Sequence, residues 1–396
     1  MKLIDFDFED NIKDHAAYKS LEYLKLPDKR MEEFRKFDLS KLYATSFNLM
    51  PNTPTNNIEA FENIDEFINN DFHTLFINNS TIQTPNNHLS KQIKISHLPK
   101  EKNFSKNALF HLGETFIELQ SKIEISNTLD KPLLIVNLFT SNNSFRPTSL
   151  HISLEENTNV DILELFISSN TGECFLNINR KITLKQNAIL NYSKVEKSSK
   201  NDTSIFNYQS NLLKKSTLNM VSVNSNAKKS LNFWDFSLDN EDIILNIDAI
   251  VNINEDKQSA NIANIVHNKE NIKSEINAKH ILYDSAHAIF EAKSTINRDA
   301  SKAKVFQSSK TTLLSDDARI FAQPQLLIQT ENLEAKHSAT CGAMNEEELY
   351  YLISRGIPEK KAEAMLIESI ENEVVEKIHN QNIQEFVLAF KGKHNV

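Results

Sequence analysis

From about Thr115 to Ile328 the chain is built of short segments in which apolar and polar residues alternate. They include Leu133–Phe139, Ser149–Leu154, Val160–Phe166, Cys174–Leu184, Ile189–Val195, Thr217–Val223 and Ile243–Ile253, and they continue to Arg319–Ala322. A period of two predicts strands. Turn-like residues precede many of them at comparable places, ending at Asn159, Asn187, Ser216, Asp242, Ser285 and Asp317. Several of these turns lie about 26–31 residues apart, with one longer interval. That spacing predicts coils that stack and bury a continuous core. Helical patterns between the strands are missing, which argues against a doubly wound α/β fold. The expectation is a parallel β-helix, with a Greek-key β-sandwich as the alternative. Asn is abundant here and tolerates the left-handed conformation, so it can make turns in a chain with only five glycines.

The flanks read differently. Residues 8–47 carry a loose helical stripe (Ile12, Ala16, Leu21, Leu24, Leu26) broken at Pro27 and resumed at Met31, Phe34, Phe37, Leu39 and Leu42. Within it, Leu26–Asp38 reads as an amphipathic surface helix. A loop with a short helix (Ile58–Asn69), strands at His73–Ile77 and Gln92–His97, and a helix at Lys106–Gly113 follow. At the far end, Leu326 and Ile328 alternate as a strand that passes into a loop bearing His337 and Cys341. Asn345 with Glu348 predicts a capped helix start, Gly356 its C′ end, and Pro358 the first turn of the next helix. Helices are expected at Glu346–Ser354, Pro358–His379 and Ile383–Phe390. The second carries the stripe Ala362, Leu366, Ile370, Val374 and Ile378. This unit could cap the open edge of the β stack or dock a partner. The expected division is 1–114 mixed and helical, 115–340 β-helix, and 341–396 helical.

Composition narrows the function. A formal charge of −9 argues against a nucleic-acid binder. The acidic start without a long apolar run predicts no signal peptide, and no stretch approaches 18 apolar residues. Two distant cysteines, Cys174 and Cys341, make no disulfide framework and suit a reducing cytosol or an organelle stroma, with the cytoplasm as the expected location. The glycines are too widely spaced for G-x-G-x-x-G or a P-loop. Nucleotide hydrolysis, if the protein depends on it, is expected in a partner.

Three motifs carry a family resemblance: Pro324-Gln-Leu-Leu-Ile328, Ala335-Lys-His-Ser-Ala-Thr340 and Tyr350-Tyr-Leu-Ile-Ser-Arg-Gly-Ile357. They resemble the Pro-Gln-Leu-Glu-Ile strand, Cys-Ser-His-Gly-Ala-Thr loop and Phe-Tyr-Leu-x-Ser-Arg-Gly-Ile helix end of the SufB/SufD family of iron–sulfur cluster assembly proteins, the D subunit most closely. His267 with Ser274, Ala288–Ala292, Thr312–Ser315 and Leu26–Asp38 are similar to further family stretches. The resemblance implies a right-handed parallel β-helix between N- and C-terminal helical regions. It also implies a complex with a SufB-like scaffold and a SufC-like ABC-type ATPase, the latter docked on the C-terminal helices. The chain would be a non-enzymatic subunit, a homodimer when alone, holding no cofactor stably by itself. An iron–sulfur cluster would lie at the interface with the SufB-like partner. Ala335 replaces the family's loop Cys, Ser338 its Gly, Leu327 the Glu of its strand, and Ala292 a Gly. The missing Cys, and Ser338 where B subunits carry Glu, weigh against a SufB-like homodimeric scaffold.

By that resemblance His337 is the loop histidine implicated in cluster or iron handling, and imidazole suits iron. Cys341 could supply a thiolate toward the same site, although the family's apolar residue there predicts a small buried thiol. Tyr350, Tyr351, Arg355, Gly356 and Ile357 form the expected docking segment, and Tyr and Arg are enriched at interfaces. Cys174 and Trp234 are expected in the core, and His267, His280 and His287 in structural or surface roles. A competing reading, a β-helix enzyme acting on a polysaccharide, would need a carboxylate pair. The nearest, Asp316-Asp317, would point to opposite faces of a strand.

Overall fold

The computed structural model describes residues 13–394 except 14, 32–33, 50–66, 68–69, 79–80, 85–89, 100–104, 118, 140–141, 170–171 and 226. The helix expected at 58–69 falls almost wholly outside the described residues, as do positions 8–12. The alternating segments form a parallel β-solenoid of about seven turns. Each turn gives one strand to each of two ten-stranded sheets. From Ser144–Leu154 and Asn159–Ser168 to Arg319–Ile328 and Leu333–Ala343, every strand pairs in parallel with the strand one coil away. Leu190, Leu218 and Leu245 are one such in-register column.

The turns explain the spacing. Asn157, Asn187, Lys215, Asp242, Asn271 and Lys302 all have φ between 58° and 61° and lie 27–31 residues apart. Each donates its backbone N–H to a carbonyl of the next coil, such as Asn187 to Lys214 at 3.2 Å. Glu255 and Asp284 repeat the left-handed conformation on the opposite side of the solenoid. The long interval in the sequence, from Asp242 to Ser285, spans the turn at Asn271, and Ser285 belongs to the other column of turns.

Inward residues form an apolar core running through the stack, including Ile162, Ile178, Leu190, Phe206, Trp234, Ile247 and Ala278. The outer faces are covered by the flanks. Helix α1 (Ala16–Leu24), helix α2 (Ser40–Ala44) and helix α3 (Ala108–Thr115) pack on the sheet containing Phe145, Phe175, Ile205 and Ile289. Asn107 caps α3, accepting from the N–H groups of Leu109 and Phe110, and donates to Asn207 at 2.9 Å. Asn177 and Asn179 donate to the α3 carbonyls of Leu109 and Phe110. That approach requires Gly113, where a Cβ would lie 2.9 Å from both asparagine side chains. Leu26–Asp38 is not a surface helix: its described residues form turns and bends, with Phe34 and Phe37 buried. Burying these rings against Phe233 and the sheet outweighs helix propensity in a segment interrupted by Pro27.

The C-terminal helices do not cap the stack. Helix α5 (Glu359–Val375) and helix α6 (Gln381–His394) fold back onto the outer face of the second sheet. There Val374, Ile378, Ile383, Val387 and Phe390 meet Leu163, Val195, Val221 and Ile250. Helix α4 (Glu346–Ser354) buries none of its residues. Strand Leu333–Ala343 runs through position 340, so the β stack continues to Ala343. Strands His73–Asn78 and Ile93–Pro99 extend the two sheets at the other end.

Candidate partner and metal site at the open end of the stack

Since α5 and α6 lie on a face, no described helix or strand covers the end of the last coil. Arg319–Ile328 and Leu333–Ala343 are terminal strands, each paired with a neighbour on one side only among the described residues. Among the described residues no further strand pairs with their other edges, and a terminal strand edge is a place where another chain can add. Leu327 and Ile328 are each 47% exposed, whereas the strands deeper in the stack are largely buried.

The segment bearing His337 and Cys341, expected as a loop, is the strand Leu333–Ala343. Its in-register pairing with Ala303–Leu313 satisfies the backbone, which local sequence does not reveal. His337 stands over Gln307, and Cys341 over Thr311, which in turn stands over His280. These are inward positions: Leu333 and Ala335 on the same face pack with Ile296, Ala300 and Val305. His337 and Cys341 are nevertheless exposed, as no coil follows. The expectation that Cys341 is a buried thiol is therefore corrected. Nor do His337 and Cys341 converge on one ion. Four residues of extended strand separate them by roughly 13 Å, and their side chains project in parallel. No group of three His, Cys, Asp or Glu able to hold a metal occurs among the described residues.

Deeper in the stack the histidines are structural. His267 bonds Ser274 at 2.8 Å, and His280 contacts Thr311 at 3.4 Å. Burial pushes both imidazoles down to about 4, so they are neutral near pH 7. His287 is half-buried. Trp234 and Cys174 lie in the core as expected. Asp316 and Asp317 sit in an exposed turn rather than a strand.

Sequence reading missed a buried charged network. Arg180 donates from Nη2 to Glu164 at 2.6 Å and from Nε at 3.0 Å, and Asn137 and Tyr192 donate to the same carboxylate. One coil on, Lys194 donates to Asn224 at 2.6 Å and to Asn232 at 3.1 Å, and lies 3.4 Å over the Phe206 ring. Burial pushes its ammonium down to about 8. The available signal was parity: Glu164 shares the inward register of Val160, Ile162 and Phe166.

Beyond the last strand, α4 starts at Asn345, whose side chain accepts from Glu347 and Glu348 N–H groups and donates to the Glu348 carboxylate at 2.8 Å. The helix ends at Arg355, and Gly356 follows with φ +87°. Tyr350 is 74% and Tyr351 56% exposed. The Arg355 guanidinium lies 5.4 Å from the Tyr351 ring centroid and donates to its hydroxyl at 3.2 Å. With Ile357, these residues make an aromatic, cationic corner beside the open end. No helix among the described residues is long and apolar enough to cross a membrane.

Comparison with known proteins gives the chain its relatives. The SufD iron–sulfur cluster assembly protein of Bacillus subtilis is 36% identical over 109 residues, which is 28% of this chain and 25% of that protein. The Escherichia coli SufD protein is 29% identical over 127 residues, 32% of this chain and 30% of its own length. Protein ABCI7, chloroplastic, of Arabidopsis thaliana is 30% identical over 105 residues, 26% of this chain and 22% of that protein. These matches thus span about a third or less of each relative. The family described as SUF system FeS cluster assembly, SufBD core domain, matches residues 137–370, from within the solenoid to within α5. That stretch is more than half of the chain, and the protein belongs to this SufBD family of iron–sulfur cluster assembly proteins.

Proposed function

We propose that the chain is a SufD-like subunit that supports iron–sulfur cluster formation and iron acquisition without catalysing a reaction itself. It pairs through its last coil with a SufB-like scaffold and carries a SufC-like ATPase on the α4–α5 region. One observation carries the reading: a stack buried on both faces ends in two bare strands with exposed Leu327 and Ile328. Open strand edges of this kind pair readily with another chain. A second copy would occupy the same edge when the partner is absent. In the complex, His337 is a ligand or contact for iron or the cluster as cargo. Cys341 is at most a second, separate ligand, because the extended strand holds the two apart. With Ala335 in place of a thiolate, most cluster ligands come from the partner. The two free cysteines suit a reducing compartment, and the proposed location is the cytoplasm.

Co-expression with the cognate SufB-like and SufC-like proteins tests this. A stable three-component complex is expected, and truncation after Ala343 should release the ATPase. No complex, together with an unchanged elution profile for the truncated chain, would refute the assembly reading. Substituting His337→Ala in the complex should lower iron and cluster content, and unchanged content would remove His337 from the site.

A further inference from the structure

We infer that Gln307 is a positioning residue for His337: its buried carbonyl oxygen takes one ring N–H of the imidazole and leaves the other nitrogen free for iron or a partner group. The inference rests on the proposed role of His337 and adds the group that sets its tautomer.

Gln307 lies on Ala303–Leu313, directly in register with His337 and on the same inward face. It is 2% exposed. Its Nε2 donates to Ser294 Oγ at 2.8 Å and to the Gln325 carbonyl at 3.2 Å. A carbonyl can only accept, so the Gln325 contact fixes which end of the amide is nitrogen. Oε1 is thereby committed as an acceptor, and it has no partner among the described residues. A buried oxygen of this kind demands a donor. The inner neighbour in the column, Ile276, offers none from its side chain. The outer neighbour is His337, one strand spacing away at about 4.8 Å. A neutral imidazole carries one N–H, and whichever nitrogen donates to Oε1 leaves the other as the free base. Histidines that bind metals are commonly oriented in this way, by an oxygen accepting from the nitrogen that does not bind.

The floor beneath the strand is polar as well as positioned. Ser309, under Ala339, has a buried hydroxyl without a partner among the described residues, and Thr311 lies under Cys341. Three successive inward positions are therefore polar where the middle of the stack presents Ile247, Ala249 and Val251. The last coil is built to hold a directed polar group, and His337 is the group standing there.

The test uses the full chain labelled with 15N-histidine, with the His337 signals assigned by their loss in His337→Ala. Long-range 1H–15N correlation reads the tautomer. In the wild type a single neutral tautomer is expected. Gln307→Met should turn it into a mixture, and Gln307→Glu, which keeps an accepting oxygen at the same place, should keep the single tautomer. Ser309→Ala should leave the His337 signals unchanged. Identical tautomer populations in wild type and Gln307→Met would overturn the pairing, as would a mixture of tautomers in Gln307→Glu if the methionine variant does not fold. The cluster content of the His337→Ala complex is a separate readout. Unchanged content with a shifting tautomer would refute the functional role and keep the pairing; lost content with a constant tautomer would do the reverse.

Discussion

Separating the buried pair Arg180 and Glu164 is the sharpest test of how the interior is held together. Both side chains are essentially inaccessible, at 1% and 0% exposure, so neither charge has solvent to fall back on. Arg180→Met strands the Glu164 carboxylate, and Glu164→Leu strands the guanidinium. Removing one partner of a buried ion pair costs about 3–5 kcal/mol. Against a typical total stability of roughly 5–15 kcal/mol, either change is severe. Replacing both together removes the uncompensated charge. The double variant still leaves the Asn137 amide and the Tyr192 hydroxyl without their acceptor, at about 1–3 kcal/mol each. The double variant should therefore cost less than the sum of the singles by about 3 kcal/mol or more. Urea unfolding followed through Trp234, the only tryptophan, buried and stacked on Tyr208, reads this region directly. The reasoning is refuted if either single variant stays within about 1 kcal/mol of wild type, or if the double equals the sum.

Four further outcomes are expected. His267 and His280 bind protons more readily unfolded, near 6.5, than folded, near 4, so their contribution to stability is present above about pH 6.5 and lost as pH falls toward 4. Replacing His280 by Leu should flatten part of that loss in denaturant titrations across this range; an unchanged slope would count against a buried neutral imidazole. In the native chain Cys341 should react with a thiol reagent at once and Cys174 only on unfolding, since the first is exposed and the second buried; two fast thiols, or none, would contradict this. Val387→Asp places an unpaired carboxylate under α6, at a position 0% exposed, and should cost about 3 kcal/mol or more, freeing the C-terminal helices to limited proteolysis. Tyr350→Ala should change stability by less than about 0.5 kcal/mol while weakening capture of the proposed SufC-like ATPase. Equal melting curves for Val387→Asp and wild type would refute the packing of α6 on the sheet.

By itself the sequence determined the coil. Alternation places Ile162, Leu190 and Leu218 on one face, and Asn or Asp, which accept φ near 60°, stand at Asn157, Asn187, Asp242 and Asn271, because both are local demands of the backbone. It also determined where α4 begins and ends, through Asn345 and Gly356, and its motifs carried the family. The strand Leu333–Ala343 was not legible. Glu334, Lys336, His337 and Ser338 have little local strand preference, and the partner that makes them a strand lies 30 residues earlier in a parallel pairing. The amphipathic stripe of α5 said that one side would be buried, but not that it would cover a sheet face and leave the stack's end bare. Glu164 and Arg180 are 16 residues apart, and only the coil brings them together. Tertiary structure alone decided these features, because each depends on which distant segment supplies the missing hydrogen bonds, countercharge or apolar surface. His337 is the consequence for function: its identity was plain in the chain, but its inward register over Gln307 and its exposure come from being on the last coil.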